Sequence, residues 1–154
     1  MNLKEEILKL KEEKNALIVA HLYQCDEIQE IADIVGDSYF LSKQAMESSK
    51  DLIIFCGVKF MAESAKILSP HKKVLIPSNS TTCPMADMAL VNRLEDLKDK
   101  HPNAKVVSYI NSNLDIKALS DVCVTSSSAI DILNNLNSDE IIFLPDRNLG
   151  GYLA

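Results

Sequence analysis

Residues 15–66 align with residues 103–154 at a constant offset of 88 and without a gap. Ten of the 52 aligned positions are identical, among them Asp33/Asp121, Ser38/Ser126, Asp51/Asp139 and the run Ile53-Ile54-Phe55/Ile141-Ile142-Phe143. Segments of ordinary composition share about three or four by chance. Any two βαβ units have similar apolar strands, but matched Asp and Ser positions go beyond a shared apolar pattern. Such self-similarity restricts the chain to two copies of one supersecondary unit.

Within each copy, short continuous apolar runs alternate with amphipathic stretches. The runs at 16–20 (ALIVA), 52–55, 73–76, 105–108 and 141–144 are predicted strands. Their continuity, in place of strict alternation, fits strands buried on both faces. Helices are predicted over 2–14, where Leu3, Ile7, Leu8 and Leu10 share a face, and over 26–35, with Ile28, Ile31, Ala32 and Val35 inward and Gly36 as the stop. Further helices are expected over 39–48, 59–68, 114–119 and 127–136, and from Pro84, a favoured first residue, to about residue 100. The run 122–124 is short and apolar, and a last helix begins after 144. The fold class is therefore α/β, built of repeated three-layer αβα units with short parallel sheets. Domains are expected at 1–84 and 85–154. The second copy ends before a counterpart of the strand at 73–76, so it is expected to be incomplete.

Charge and cysteine usage narrow the function. With 16 basic and 22 acidic residues and a net charge of -6, the chain has the wrong balance for a non-specific nucleic-acid binder. No apolar run reaches the roughly 18–20 residues that cross a bilayer. The start, MNLKEEILKLKEEKN, has no signal-peptide core. A cytoplasmic protein is expected, and in a reducing compartment Cys25, Cys56, Cys83 and Cys123 are not read as disulfides. No CxxC pair supports a zinc ribbon or a thioredoxin motif.

Ligands of parallel α/β sheets bind at strand carboxyl ends. His21 and Tyr23 follow the strand 16–20, and their repeat mates Tyr109 and Asn111 follow the strand 105–108. Ser38 and Ser126 are mates, as are Lys59 and Arg147. Functional side chains at matching positions would line one site on a pseudosymmetry axis. His21 alone also reads as a hydrogen-bonded core histidine. Gly36-Asp37-Ser38 reads either as an anion-binding turn or as a plain helix N-cap, and residues 125–128 invite the same two readings. Cys83, in a polar loop at a helix start, is the cysteine best placed to be a thiolate and a metal ligand. Cys56 and Cys123 read as small buried hydrophobes.

The stretches AHLYQCDEIQEIADIVGDS (20–38), FCGVKFMAESAKIL (55–68), CPMADM (83–88), VVSYINSN (106–113), VTSSSA (124–129) and FLPDRNLGGYLA (143–154) resemble quinolinate synthase over essentially the whole chain. The resemblance implies three similar α/β domains about a pseudo-threefold axis, of which this chain would hold the N-terminal two, about two-thirds, with the third absent. It implies a transferase of NAD (pyridine nucleotide) biosynthesis that condenses iminoaspartate with dihydroxyacetone phosphate to quinolinate, releasing water and phosphate. An iminoaspartate-producing oxidase or dehydrogenase would be a partner, while nucleic acid and membrane would not. A [4Fe–4S] cluster held by three cysteines, its open iron acting as a Lewis acid, is implied as cofactor. By motif, Cys83 would be its first ligand. His21, Tyr23 and Tyr109 would be catalytic, and His21, Ser38, Tyr109, Asn111 and Ser126 would bind substrate. The later HPEC segment and third cysteine are not in these residues, and Gly151 and the bulky Tyr39-Phe40 pair depart from the family pattern. Activity of this chain alone is therefore an open expectation. The alternatives are a non-catalytic two-unit module binding a small phosphorylated metabolite, or an inactive truncated product.

Overall fold

Parallel strands must be joined by crossovers, and the chain supplies a helix for nearly every one. The computed structural model describes residues 2–154. The chain divides into two units, Met1–Thr82 and Cys83–Ala154. The first runs α1 (Leu3–Glu13), β1 (Ala16–His21), α2 (Asp26–Gln29), β2 (Ile34–Gly36), α3 (Ser38–Glu47), β3 (Leu52–Cys56), α4 (Lys59–Leu68) and β4 (Lys73–Leu75). Its sheet is parallel throughout, in the order β2-β1-β3-β4. The second runs α5 (Pro84–Asp87), α6 (Val91–Lys100), β5 (Lys105–Tyr109), α7 (Leu114–Ala118), β6 (Val122–Val124), α8 (Ala129–Asn134), β7 (Ile141–Leu144) and α9 (Arg147–Leu153). Its parallel sheet has the order β6-β5-β7. Among the described residues, no helix is long and apolar enough to cross a membrane.

The two units repeat in register as well as in order. Val19↔Ile34, Ala20↔Val35 and His21↔Gly36 recur 88 residues on as Val107↔Val122, Ser108↔Cys123 and Tyr109↔Val124. Leu17↔Ile53 through Ala20↔Cys56 recur as Lys105↔Ile141 through Ser108↔Leu144. Alternate residues of each strand face opposite ways. Ile18, Ala20 and Cys56 pack with Ile7 of α1 and Ile28 of α2. Val106, Ile142 and Leu144, the counterparts of Ile18, Ile54 and Cys56, pack with Leu94 of α6 and Ile116 of α7. On the other face, Val107, Ile141 and Phe143 pack with Ala129 and Ile132 of α8 and Leu153 of α9. The matching face of the first unit carries Val19, Ile53 and Phe55, all fully buried, under α3 and α4 with their buried Leu41, Ala45, Phe60, Met61 and Ala65.

Local chemistry sets the ends of these elements. α1 opens on a capping box between Asn2 and Glu5. It ends as Asn15 takes a positive φ of 50°, a conformation asparagine tolerates well. The carboxyl end of α3 is satisfied by Lys72, whose ammonium donates to the Ala45 and Met46 carbonyls at 2.6 and 3.1 Å.

Two predicted helices are corrected. The segment 26–35 is a single turn followed by the strand β2, because tertiary pairing with β1 overrides its helical periodicity. Ile34 and Val35 are β-branched and suit that strand. The long helix expected from Pro84 to about residue 100 is broken at Met88-Ala89-Leu90 into α5 and α6. Helix α8 is shorter at both ends than 127–136. The run 122–124 is the strand β6.

One side chain ties each edge strand to the central strand. Asp33 Oδ2 accepts the Ile18 N–H at 2.9 Å, and the Asp33 N–H donates to the Ile18 carbonyl at 2.8 Å. Asp121 repeats both bonds with Val106, each at 2.8 Å. The other oxygen of each carboxylate meets a lysine, Lys11 at 2.8 Å and Lys105 at 2.9 Å. The hydrogen bonds from Lys105 and the Val106 N–H hold the Asp121 carboxyl below the usual aspartate range.

Replacing Asp33 or Asp121 by alanine leaves a strand N–H without its acceptor. Each change is expected to lower unfolding free energy by about 1–3 kcal/mol in urea titrations. A carboxyl whose folded pKa is depressed stabilises above its unfolded value and loses that contribution as pH falls through the folded value. The Asp121 contribution should therefore begin to be lost below about pH 4 and fall away as pH drops further. Asp121→Asn should flatten that acid limb, and an acid limb of unchanged slope would contradict the assignment.

Candidate active site

In the first unit the predicted residues gather at the carboxyl end of β1. His21 is its last residue and is 4% exposed. Its Nδ1 accepts the Tyr23 N–H at 3.2 Å, and the two rings lie 4.0 Å apart between centroids at 52°. An imidazole that accepts at Nδ1 while neutral carries its proton on Nε2. Burial pushes the His21 pKa below its ordinary value, and the Asp37 carboxylate opposes this more weakly. His21 is thus a neutral group near pH 7, with an N–H donor at Nε2. Tyr23 is 84% exposed. Its loop is pinned by Gln29, whose amide donates to the Gln24 carbonyl at 2.7 Å.

Ser38 stands two residues beyond Gly36, the register partner of His21. Of the two readings of Gly36-Asp37-Ser38, the N-cap is the one seen: Asp37 Oδ1 accepts the Phe40 N–H at 2.9 Å. The first turn of α3 therefore has a carboxylate of its own, which disfavours a second anion there. A Cβ on Gly36 would lie 2.3 Å from the Phe40 ring, so a larger residue there would force that ring to move.

The second unit places the mates in the same way. Tyr109 ends β5 and is half-buried, like Asn111 two residues on. Ser112, fully buried, closes the loop by donating to the Tyr109 carbonyl at 2.6 Å. Ser126 is exposed, two residues beyond Val124, the partner of Tyr109. In the run 125–128 the Thr125 hydroxyl bonds to Ser127 and Ser128 at 3.0 and 2.9 Å, leaving Ser126 as the outward hydroxyl. Lys59 and Arg147 occupy the first positions of α4 and α9, both exposed.

The cysteines divide differently from expectation. Cys56 is buried, and burial pushes its thiol up. Cys123 is exposed, being the middle residue of the three-residue edge strand β6. Its thiol lies 3.1 Å from the Ser108 hydroxyl. Cys25 is exposed at the N-cap of α2. Cys83 is half-buried at the N-cap of α5 and makes no capping bond. With α5 a single turn, the dipole at Cys83 is much weaker than a helix reaching residue 100 would supply. Among the described residues no three His, Cys, Asp or Glu side chains are grouped to hold a metal. Cys83 is one sulfur donor where a cluster needs three or four, so these residues do not by themselves fit that cofactor.

The second unit also carries an apolar groove of about 230 Å³ that sequence reasoning missed. It is lined by Leu90, Leu94, Leu97, Ile142, Leu144 and Pro145 among others, with Arg93 as its charged residue, and by none of the predicted site residues. Its walls come from two elements far apart in sequence, α6 and β7, so no local motif announces it.

The His21 assignment has a direct check. Long-range ¹H–¹⁵N spectra should show the Nε2–H tautomer at pH 7 and a titration midpoint below that of a free histidine. Asp37→Asn, by removing the opposing carboxylate, should lower the midpoint further. A lowered histidine pKa stabilises the fold above the unfolded value and loses that contribution as pH falls through the folded one. A midpoint at or above the ordinary value would remove the buried-neutral assignment.

The family pattern described as Quinolinate synthetase A protein matches residues 5–154. The chain is 64% identical over 153 residues to a quinolinate synthase of Clostridium perfringens, covering 99% of this chain and 51% of that protein. It is 65% identical over 152 residues to one of Clostridium acetobutylicum, covering 99% and 50%, and 60% identical over 151 residues to one of Caldicellulosiruptor bescii, covering 98% and 50%. The chain spans about half the length of the curated relatives it matches, less than the two-thirds that two of three equal domains would make. With the pattern running from residue 5 to residue 154 and this identity along the whole chain, the chain belongs to the quinolinate synthetase A protein family.

Proposed function

We propose that this chain is part of a quinolinate synthase, which condenses iminoaspartate with dihydroxyacetone phosphate in the cytoplasmic synthesis of NAD. The observation that carries the reading is identity of 60–65% to proteins of that name over 98–99% of the chain. The geometry supports it through the repeated placement of polar groups at the ends of the central strands. His21 offers a buried neutral imidazole with Nε2–H as donor, suited to giving and later taking back a proton as the ring closes and water leaves. Tyr109 offers a phenol for the same traffic, and Tyr23 stacks on His21 and limits its rotation. Asn111 presents an amide to a carboxylate or hydroxyl. Ser38 and Ser126 present hydroxyls to the phosphate or carboxylates; neither stands in a bare helix N-terminus, so their recognition rests on hydroxyl donors more than on a dipole. Cys83 would be one cysteine ligand of a [4Fe–4S] cluster whose other ligands lie outside these 154 residues. Iminoaspartate, being readily hydrolysed, calls for an oxidase or dehydrogenase that supplies it nearby.

The test joins residues 1–154 of this chain to the remaining half of the Clostridium acetobutylicum relative and reconstitutes the chimera with iron and sulfide without oxygen. Supplied with dihydroxyacetone phosphate and enzymatically generated iminoaspartate, it should form quinolinate, measured by mass spectrometry. His21→Asn and Tyr109→Phe should each cut kcat by about 10²–10⁴-fold. Cys83→Ala should lose both iron and activity. The 154-residue chain alone should retain less than a full complement of four irons. A folded, iron-replete chimera that makes no quinolinate, or one indifferent to Cys83→Ala, would sink the reading.

A further inference from the structure

One side-chain hydrogen bond in the second unit is explained neither by the repeat nor by the proposed roles. Asn113 Nδ2 donates to Asp87 Oδ1 at 2.9 Å. Asn113 is the N-cap residue of α7, where an asparagine ordinarily accepts a hydrogen bond from the first turn of its own helix. It makes no such bond, and its side chain is turned to Asp87 instead. Asp87 is the last residue of α5, and its N–H donates back to the Cys83 carbonyl at 2.9 Å. Carboxylate and thiol therefore belong to one closed turn, anchored by the fully buried Ala86. On the other side, Asn113 ends the loop that starts at Tyr109. That loop is held by the Ser112 hydroxyl on the Tyr109 carbonyl and by the Ile110 N–H on the Val124 carbonyl at 2.8 Å. The bond thus joins two stiff pieces.

We infer that Asp87 and Asn113 are a positioning pair, which fixes the Cys83 turn against the loop that presents Tyr109 and Asn111. The inference rests on the proposed reading for the roles of those three residues, but the mechanical link stands on the hydrogen bond and the missing cap. Asp87 and Asn113 touch no reactant. They act by holding the thiol and the two polar side chains in one geometry, which a condensation of two small molecules requires.

The test uses the 154-residue chain. Maleimide labelling of Cys83, resolved from Cys25 and Cys123 by peptide mass mapping, reads the turn. The side-chain amide resonance of Asn111 reads the loop. Asn113→Ala should raise the Cys83 labelling rate about tenfold, the scale of one lost hydrogen bond to a charged group, and should move the Asn111 resonance, with Cys25 labelling unchanged. The exchange Asp87→Asn with Asn113→Asp rebuilds the bond with donor and acceptor reversed, and should return both readouts. A merely structural contribution would shift the melting temperature without this paired rescue. The inference is overturned if either readout keeps its parent value in Asn113→Ala, or if the folded exchange variant restores neither. Titration of the parent chain with dihydroxyacetone phosphate separates the two readings: no shift at Asn111 removes its substrate role and leaves the positioning result untouched.

Discussion

The pairing of an aspartate carboxylate with a strand N–H sets the geometry on which both units depend. Asp33 and Asp121 each donate the backbone N–H to the carbonyl of one residue of the central strand, Ile18 or Val106, and accept that residue's own N–H on the carboxylate. A parallel edge strand of three residues gains little from its ladder alone. The carboxylate adds a charge-assisted bond at the point where the edge strand begins. Register then follows residue by residue, and a slip by one would turn every side chain to the opposite face. Because the register is fixed, Gly36 lies opposite His21 and Val124 opposite Tyr109. The serine two residues further on lies near the end of the central strand in both units.

The same constraint explains what the sequence disclosed and what it hid. The strands β1, β3 and β7 and the helices α1 and α4 were legible to within a residue or so, because each is a strongly patterned run bounded by a clear stop. β2 was not. Ile28, Ile31, Ala32 and Val35 have helical spacing, and the pairing with β1, begun by the Asp33 bonds, makes Ile34 to Gly36 extended. The repeat held the missing clue, since 122–124 is apolar, β-branched at both ends and mates with 34–36. The break at Met88-Ala89-Leu90 carries no proline or glycine, and Ala86 and Leu94 are buried in separate turns, so packing alone makes it. Cys123 was misjudged for a related reason: an apolar strand suggests burial, but edge position depends on sheet order, which periodicity does not reveal.

The candidate site was legible as a set of positions more than as a set of environments. Sequence placed His21, Tyr23, Tyr109, Asn111, Ser38 and Ser126 by strand ends and by the offset of 88. It could not distinguish a 4% exposed His21 from an 84% exposed Tyr23, since both follow the same strand by one and three residues. Burial is decided there by the loop that Gln29 pins and by which face of the sheet each residue meets. Nor could sequence settle whether Gly36-Asp37-Ser38 receives an anion. Asp37 caps its own helix, and a carboxylate in that turn works against an anion on its backbone N–H groups.

Identity is kept between the copies at scaffold positions and at Ser38/Ser126, and is lost at the ends of the central strands. Asp33/Asp121, Ile53/Ile141, Ile54/Ile142 and Phe55/Phe143 match, and these residues set register or fill the core. At the strand ends the copies diverge, with imidazole facing phenol at 21/109 and phenol facing amide at 23/111. The lysines that neutralise the clamps diverge as well: Lys11 comes from a helix and Lys105 from the strand itself. A symmetric pair of sites would bind two copies of a symmetric ligand. Two unlike ligands would need the reverse, one scaffold repeated with unlike groups mounted on it. In that arrangement the core of one unit tolerates little change, because each buried residue is held by register. The strand-end residues remain free to differ, because the backbone positions that carry them are already fixed by the strand register and the aspartate bonds.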